Sequence, residues 1–282
     1  MGTVTSRIRV STSGRAIDRA ERLWQLFAVL CLAGMTWWYF VKHHHTPDRG
    51  FLFTSGILGV TSAVLAAALS IRKRLAYQGT GRMSAWLTGH IYLGLISAAA
   101  VFLHSGFRPG GPSTAILFCF FSLTVASGLV GLVIARRVPP LLTKIEENPA
   151  LMEDLIDIRG ECLRGLHELA AGGSPEFRSL VRNRLVSEVA SLPRMLRFYQ
   201  KQTTLDEELP AFQKSFDPVV GQLKQHEQVA FRRAAEYALR ANKMNAEYML
   251  QRLLRGWLTF HMAATVIMFA LAAVHIFTVL FY

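Results

Sequence analysis

The sequence has little of what proteins commonly use to hold redox or nucleotide cofactors. It contains three cysteines, Cys31, Cys119 and Cys162, and no Cys-x-x-Cys-His run. Covalent haem attachment and cysteine-bound iron–sulfur clusters are therefore excluded, and no disulfide is indicated. A Gly-Thr-Gly stretch at 79–81 follows no predicted strand, so it indicates a turn and not a phosphate-binding loop. The chain therefore lacks a flavin, nucleotide or iron–sulfur site of its own.

Charge is also scarce, at 18% of residues against 51% hydrophobic residues. Five apolar stretches have no Asp, Glu, Lys or Arg in their central parts: 24–41, 51–71, 86–107, 113–135 and 257–281. Each is long enough to cross a bilayer core of about 30 Å as a helix. The first ends in aromatic residues and not in the small residues of a cleavage site, so we expect it to remain as an anchor. The pattern predicts an all-α integral membrane protein with five transmembrane helices.

The basic residues predict how these helices are oriented. They concentrate before the first stretch, between the second and third, after the fourth and before the fifth, whereas the other two loops hold only Lys42, Arg49 and Arg108. The positive-inside rule then places the N-terminus and the segment 138–254 in the cytoplasm and the C-terminus outside, in what we expect is a bacterial inner membrane. The net charge of +12 suits anionic lipid headgroups. No nucleic-acid motif accompanies it, so no nucleic-acid partner is expected.

Three regions follow from this pattern. Residues 1–137 hold transmembrane helices one to four, residues 138–254 form a helical cytoplasmic insertion, and residues 255–282 form helix five. Within the insertion we expect helix starts at Asn148-Pro149 and Ser174-Pro175 and a break at Gly172-Gly173. We also expect interruptions at 139–140, 193 and 210, and a long polar helix from about 218 into helix five. This insertion is interpreted as a docking platform for a soluble partner, with self-association or a lid as the alternatives.

A histidine pattern occurs twice inside the apolar stretches. Trp-Leu-Thr-x-His-x13-His spans Trp86, His90 and His104 and then Trp257, His261 and His275. Fourteen residues of helix rise about 21 Å and end about 40° short of whole turns, so each helix carries two imidazoles on one face. On parallel helices, His90 with His261 and His104 with His275 form two stacked sites for haem iron. A lone membrane histidine more often bonds a neighbouring helix. Zinc and copper usually need more than two protein ligands.

Other residues fit this interpretation. The second N–H of each imidazole is expected to reach a backbone carbonyl one turn earlier, which would fix the tautomer. Arg82 and Arg255 inside and Arg108 outside are candidate propionate partners. Room for haem is expected beside small residues on the same faces, namely Gly94, Ser97, Ala98, Ala264, Thr265, Met268 and Ala272, and beside Gly56, Gly59, Gly128 and Gly131 of neighbouring helices. The run His43-His44-His45 is interpreted as an interface turn; a metal site there is the alternative.

The chain resembles the bis-histidine di-haem cytochrome b superfamily. Ligands on spans three and five resemble the ferric-reductase type, while Arg252-Leu-Leu-Arg-Gly-Trp-Leu-Thr-Phe-His261 followed by His275 is most similar to cytochrome b membrane subunits of bacterial redox complexes. The resemblance covers spans three and five. It implies two haem b groups and an electron-transfer subunit of an oxidoreductase complex. It also implies a flavin or iron–sulfur subunit on the cytoplasmic side and a cytochrome or quinone at the outer face.

Two alternatives remain open at this point. The flavin and nicotinamide domains of ferric reductases are expected to be absent, and no quinol-site signature can be placed on individual residues. The chain could nevertheless be a cytochrome b that itself reacts with quinone. It could also be a haem-free membrane scaffold or transport component.

Overall fold

The computed structural model of the chain describes residues 13–42, 48–74, 83–145, 152–201 and 203–281. Throughout these ranges the backbone forms helices, turns and bends, with no strand. The chain divides into two compact units, one of Met1–Val125 with Ala270–Tyr282 and the other of Ala126–Phe269. Two long helices contribute to both units.

Five helices are long and apolar enough to cross a membrane, which confirms the predicted number. Large apolar side chains are exposed along them, as expected for helices that face lipid; Val266, for example, is 67% exposed. The five are α1 (Ser13–Trp37, followed by a π-helical turn at Trp38–Lys42), α2 (Arg49–Arg74), α3 (Met83–His104), α4 (Pro112–Ile145) and α11 (Gln225–Phe281).

The first unit has a small core where α1, α2 and α3 meet. Phe51 is its centre, with the ring of Trp38 edge-on at 5.3 Å and that of Tyr39 at 5.6 Å between centroids. The Asp48 carboxylate accepts the Phe51 N–H at 2.7 Å, which caps the first turn of α2. Helix α3 ends three residues before the predicted boundary. Gly106 takes a positive φ of 58° there, and the Phe107 N–H donates to the Phe102 carbonyl to close the helix end.

Helix α4 continues through two prolines that were predicted to end it. Residues 139–140 were expected to break the chain after span four, but the helix continues to Ile145. Proline removes a hydrogen bond and crowds the preceding turn, so packing must hold the helix together. The turn that precedes the two prolines is packed against α11: Val138 and Leu250 are buried together, and Ile134 and Leu254 pack against them.

Shorter helices fill the segment between α4 and α11. Ser174 caps α6 with Pro175 behind it, and Gly172-Gly173 separates α5 from α6, both as predicted. The predicted interruption at Pro193 is confirmed, because α7 ends at Val189 and a new helix, α8, begins at Leu192 with Pro193 in its first turn. Pro210 lies inside α9, so the predicted interruption there is wrong. The remaining helices are α5 (Met152–Ala171), α6 (Pro175–Leu180, followed by a π-helical turn at Val181–Leu185), α7 (Val186–Val189), α8 (Leu192–Lys201), α9 (Leu205–Lys214) and α10 (Asp217–Val220).

The long helix α11 serves this segment as its core. It begins at Gln225, seven residues later than predicted, and runs without interruption into the apolar stretch. Its small residues Ala234, Ala235 and Ala238 are fully buried in one core with residues of α5, α6, α7 and α9, which can therefore pack closely. The predicted start at Asn148-Pro149 lies outside the described residues.

Candidate functional site

Helices α2 and α3 are joined by three polar contacts at regular spacing. His90 Nδ1 lies 2.9 Å from the Ala66 carbonyl oxygen, and His104 Nδ1 lies 2.7 Å from that of Leu52. Midway between them, Ser97 Oγ donates to the Gly59 carbonyl at 2.8 Å. Each step of seven residues up α3 matches seven residues down α2, because positions seven apart return to the same helix face. The two helices are therefore antiparallel and in a constant register.

These contacts indicate which nitrogen of each imidazole carries the proton. A carbonyl oxygen can only accept, so Nδ1 of His90 and of His104 must carry the proton. Nε2 then presents a lone pair that can bind a metal, and the carbonyl strengthens it as an electron donor. The carbonyls were expected one turn earlier on the same helix, and this expectation is wrong. Carbonyls within a helix already accept from its own N–H groups, whereas α2 offers carbonyls from the side.

Glycine makes this lateral approach possible at His104. Gly56 lies one turn beyond Leu52, and a Cβ placed there would lie 3.1 Å from Cε1 of the His104 ring. The ring would then have to move away from the Leu52 carbonyl. Gly56 was expected to make room for a haem, but in the structure it makes room for the His104 imidazole.

Within the first unit, His104 faces His275. The centroids of the two rings are 6.5 Å apart, and the ring planes are inclined by 82°. An imidazole nitrogen binds a transition metal at about 2.0–2.1 Å and lies about 1.2 Å from its ring centroid, so two imidazoles sharing one ion have centroids about 6.4 Å apart. The observed centroid separation of 6.5 Å is close to this value, so the two imidazoles would be able to hold one metal ion between them.

His261 is held differently, by a single residue of α4. Its Nδ1 lies 2.7 Å from Ser127 Oγ. One turn earlier on α11, the Trp257 indole N–H donates to the Ser127 carbonyl at 2.8 Å. The two rings on α11 are stacked, with 5.7 Å between centroids and 22° between planes. Gly128 and Gly131 of α4 lie against the imidazole and the indole respectively.

The remaining predicted site residues have mixed outcomes. His90 belongs to the first unit and His261 to the second, so their pairing stays a prediction. Arg82 and the run at 43–45 lie outside the described residues. Arg108 is exposed just after the end of α3, and Arg255 is exposed in the interior of α11. Within the described part, no three His, Cys, Asp or Glu side chains form a metal-binding group.

Two of the small residues expected beside haem have defined surroundings. Ser97 donates to the Gly59 carbonyl of α2, on the side of α3 that His90 and His104 also use, and its place beside a haem stays a prediction. Gly94 lies one turn beyond His90, and no atom lies within 4 Å of the point where its Cβ would stand. This position therefore has open space beside it, between the two histidines of α3.

Sequence reasoning missed the groups that hold the imidazoles. Ser127 and the carbonyls of Leu52 and Ala66 carry no motif of their own. One signal does accompany two of them: a glycine stands four residues after Leu52 and after Ser127, as Gly56 and Gly131. Such a glycine exposes the carbonyl one turn before it to a side chain from another helix.

The net charge has a simple distribution that also bears on function. Residues 138–254 contain 16 basic and 16 acidic residues, so the whole charge of +12 belongs to the rest of the chain. Outside that segment the only acidic residues are Asp18, Glu21 and Asp48. A partner of the segment would therefore not be attracted by its net charge, although local patches remain available.

Comparisons with known proteins give no match that bears on this arrangement. No protein-family model, no curated protein and no solved structure matches the chain. The residues and their geometry are therefore the features that bear on function.

Proposed function

We propose that the chain is a di-haem b-type cytochrome that conducts electrons across a membrane. The observation that carries this proposal is the His104–His275 pair, whose 6.5 Å separation suits one iron between them. Nδ1–H of His104 donates to the Leu52 carbonyl, which fixes the tautomer in which Nε2 can bind the metal. Two ligands of the same kind, His90 and His261, would hold a second haem nearer the cytoplasm.

The protein and the haem would divide the work between them. Haem iron supplies a reversible one-electron change between its ferric and ferrous states. The four histidines would hold and orient the iron. The hydrogen bonds of His90 and His104 to α2, and of His261 to α4, would tune how strongly these three imidazoles donate electrons. Arg255 near the cytoplasm and Arg108 at the outer side would pair with haem propionates, as would Arg82.

The expected orientation follows from the positive charge. Outside 138–254, the acidic residues other than Asp48 lie in the N-terminal region, which is also rich in basic residues. They are too few to cancel the excess of positive charge on the side assigned to the cytoplasm. We place the N-terminus and the segment 138–254 in the cytoplasm of a bacterial cell and the C-terminus outside. Protease added to sealed, right-side-out cells should leave the segment intact. Cleavage within it would invert the topology and exchange the inner and outer haems.

The segment between α4 and α11 is proposed to dock a redox subunit that carries flavin or iron–sulfur groups. Because its net charge is zero, exposed apolar side chains are the better markers of such a surface. Leu192, Leu196 and Ile156 are each at least 44% exposed. Removing the whole segment would uncover the buried face of α11, so single substitutions at these positions give the cleaner test.

A docking test would compare matched variants. Leu196→Asp should weaken co-purification of the native partner and slow its electron exchange, with haem content unchanged. Val229→Asp, at another exposed position on α11, serves as the control. Full activity in Leu192→Asp, Leu196→Asp and Ile156→Asp alike would remove the docking role from this surface. A change in oligomeric state would favour self-association.

Haem content and ligand pairing provide the decisive test of the main proposal. The purified protein should show a b-type spectrum with two haems per chain. His104→Ala and His275→Ala should each remove the same haem, and the double variant should lose no more than either. His167→Ala, at an exposed position in the segment, should keep both. A fully folded but colourless protein would instead indicate a haem-free scaffold or transport component.

A quinone-reacting cytochrome is the second candidate, and one cavity favours it. The cavity measures about 520 Å³, lies between α1 and α2, and is mainly apolar. Its walls include Trp37, Trp38, Phe51, Thr54 and Ser55. Volumes of this size hold small apolar ligands with one or two polar groups. Reduction of both haems by added quinol, blocked by Ser55→Phe, would support this reading; no reduction by quinol would count against it.

A further inference from the structure

We propose that Trp257 is a positioning residue for His261, held in place by Ser127 and Gly131 of α4. This inference deepens the proposed function and rests on it. The cluster of these four residues lies within the second unit, and every contact used below belongs to that unit.

Ser127 makes two bonds to α11. Its carbonyl accepts the indole N–H of Trp257 at 2.8 Å, and its hydroxyl lies 2.7 Å from Nδ1 of His261. The indole nitrogen can only donate, and a buried indole usually finds an acceptor. Two rings one turn apart on α11 are thus attached to a single residue of α4, which fixes their relative position.

Ring stacking adds a constraint on orientation. The indole and imidazole planes differ by 22°, with centroids 5.7 Å apart, in an offset arrangement that aromatic pairs favour. Rotation of the imidazole about its Cβ–Cγ bond would break this stacking as well as the bond to Ser127. The plane of the ring is therefore selected by a neighbour that does not bind iron.

Gly131 makes the indole position possible. A Cβ at this glycine would overlap the six-membered ring of Trp257. Gly128, by contrast, leaves ordinary contact distance, because a Cβ there would lie 3.6 Å from Cε1 of His261. The position of Trp257 thus requires glycine at residue 131, whereas residue 128 has room for a Cβ.

This support differs in kind from that of the two histidines on α3. A backbone carbonyl forces the proton onto Nδ1, whereas a serine hydroxyl can donate or accept. Ser127 alone does not decide the tautomer of His261. Iron at Nε2 would select the form that donates from Nδ1 to Ser127. Trp257 would set the ring plane in either form, so the two residues have separable effects.

Four variants of the full chain separate these effects. Trp257→Phe retains a ring but loses the N–H, while Trp257→Leu loses both. Ser127→Ala loses the hydroxyl and keeps the carbonyl. Thr259→Val is the matched control, because Thr259 lies on the same helix, is exposed and bonds only to the Arg255 carbonyl. The readouts are haem content, the low-spin ferric EPR signal of each haem and its midpoint potential.

The EPR signal is the decisive readout because its position depends on the relative orientation of the two ligand planes. Trp257→Leu should shift the signal of one haem, Trp257→Phe should shift it less, and Thr259→Val should leave both signals unchanged. Ser127→Ala should raise the potential of that same haem, because the imidazole loses an acceptor and donates less to iron. The second haem should keep its signal and potential throughout.

Failure of this inference differs from failure of the proposed function. Two haems in every variant, with both EPR signals and both potentials as in the wild type, would overturn the positioning role only. If Trp257→Leu does not accumulate, Trp257→Phe and Ser127→Ala decide the question. A folded wild-type protein without haem would overturn the proposed function, and the positioning role with it.

Discussion

The apolar helices and the segment between α4 and α11 use polar side chains for different purposes. In the apolar helices, hydrogen bonds between helices gather around imidazoles, as at His104 and His261. In the segment they terminate helices instead: Ser174 caps α6, and Thr204 and Glu207 form a capping box on α9. The two regions also differ in net charge, because residues 138–254 have a net charge of zero and the rest of the chain carries the +12. Under the proposed function, polar groups would position imidazoles in one region and stabilise helix ends in the other.

The largest expected effect tests the functional side of this comparison. Gly56→Leu should displace the His104 ring from the Leu52 carbonyl and remove one haem of two, because any Cβ there already lies within 3.1 Å of the ring. Gly56→Ala should retain that haem with an altered spectrum. Haem would be measured per chain by absorbance. Gly34→Ala is the control, since no atom lies within 4 Å of its Cβ position; equal haem loss in both would contradict the prediction.

A structural polar residue should affect stability without affecting haem. Asn242 is fully buried, and its amide donates to the carbonyls of Glu188, Val189 and Ser191. Asn242→Ala leaves these carbonyls short of a donor and should lower the free energy of unfolding of the segment by about 1–3 kcal/mol. Denaturant unfolding followed by proteolysis would measure this.

The control for Asn242 is another asparagine in the same segment. Asn183 is exposed and bonds only to the Ser179 hydroxyl, so Asn183→Ala should change stability by less than about 0.5 kcal/mol. A shift of haem absorbance in Asn242→Ala would break the division between the two regions.

A smaller effect should appear as a dependence of stability on pH. The backbone N–H of Ser174 donates to Glu227 at 2.7 Å and lowers the pKa of that carboxyl below its usual value. A lowered pKa in the folded state stabilises the fold above the pKa of the unfolded chain, and this contribution is lost as pH falls through the folded value. Glu227→Gln should therefore flatten the acid side of the stability profile. An unchanged slope between neutral pH and mild acid would contradict this.

The smallest effect concerns Cys162 in the core of the segment. Burial raises the pKa of its thiol, so little thiolate forms at neutral pH. With Cys31 and Cys119 replaced by alanine, maleimide should label Cys162 at least roughly tenfold more slowly than a cysteine placed at the exposed Ser187. Equal rates in the native protein would show that the core opens readily. Urea should remove the difference.

Sequence reasoning predicted the elements that depend on local pattern. The five apolar helices follow from long runs without charge, and the Ser174 cap follows from a short motif with a direct hydrogen-bonding cause. It failed at Pro210 and at 139–140, because contacts with other helices can outweigh the local cost of proline. The anchors of His90 and His104 could not be predicted. They are backbone carbonyls, which every residue has, and only the packing of α2 selects Leu52 and Ala66.

The constant register of α2 and α3 limits how the ligand spacing can change. One inserted residue between His90 and His104 would turn the second ring by about 100° and move it off the Leu52 carbonyl. Spacing can therefore change only in units of seven, and fourteen is the second such unit. The first unit falls at Ser97, opposite the Gly59 carbonyl. That position is a ready-made place for an additional imidazole, so the same helix pair could be re-engineered to carry its ligands one heptad closer together.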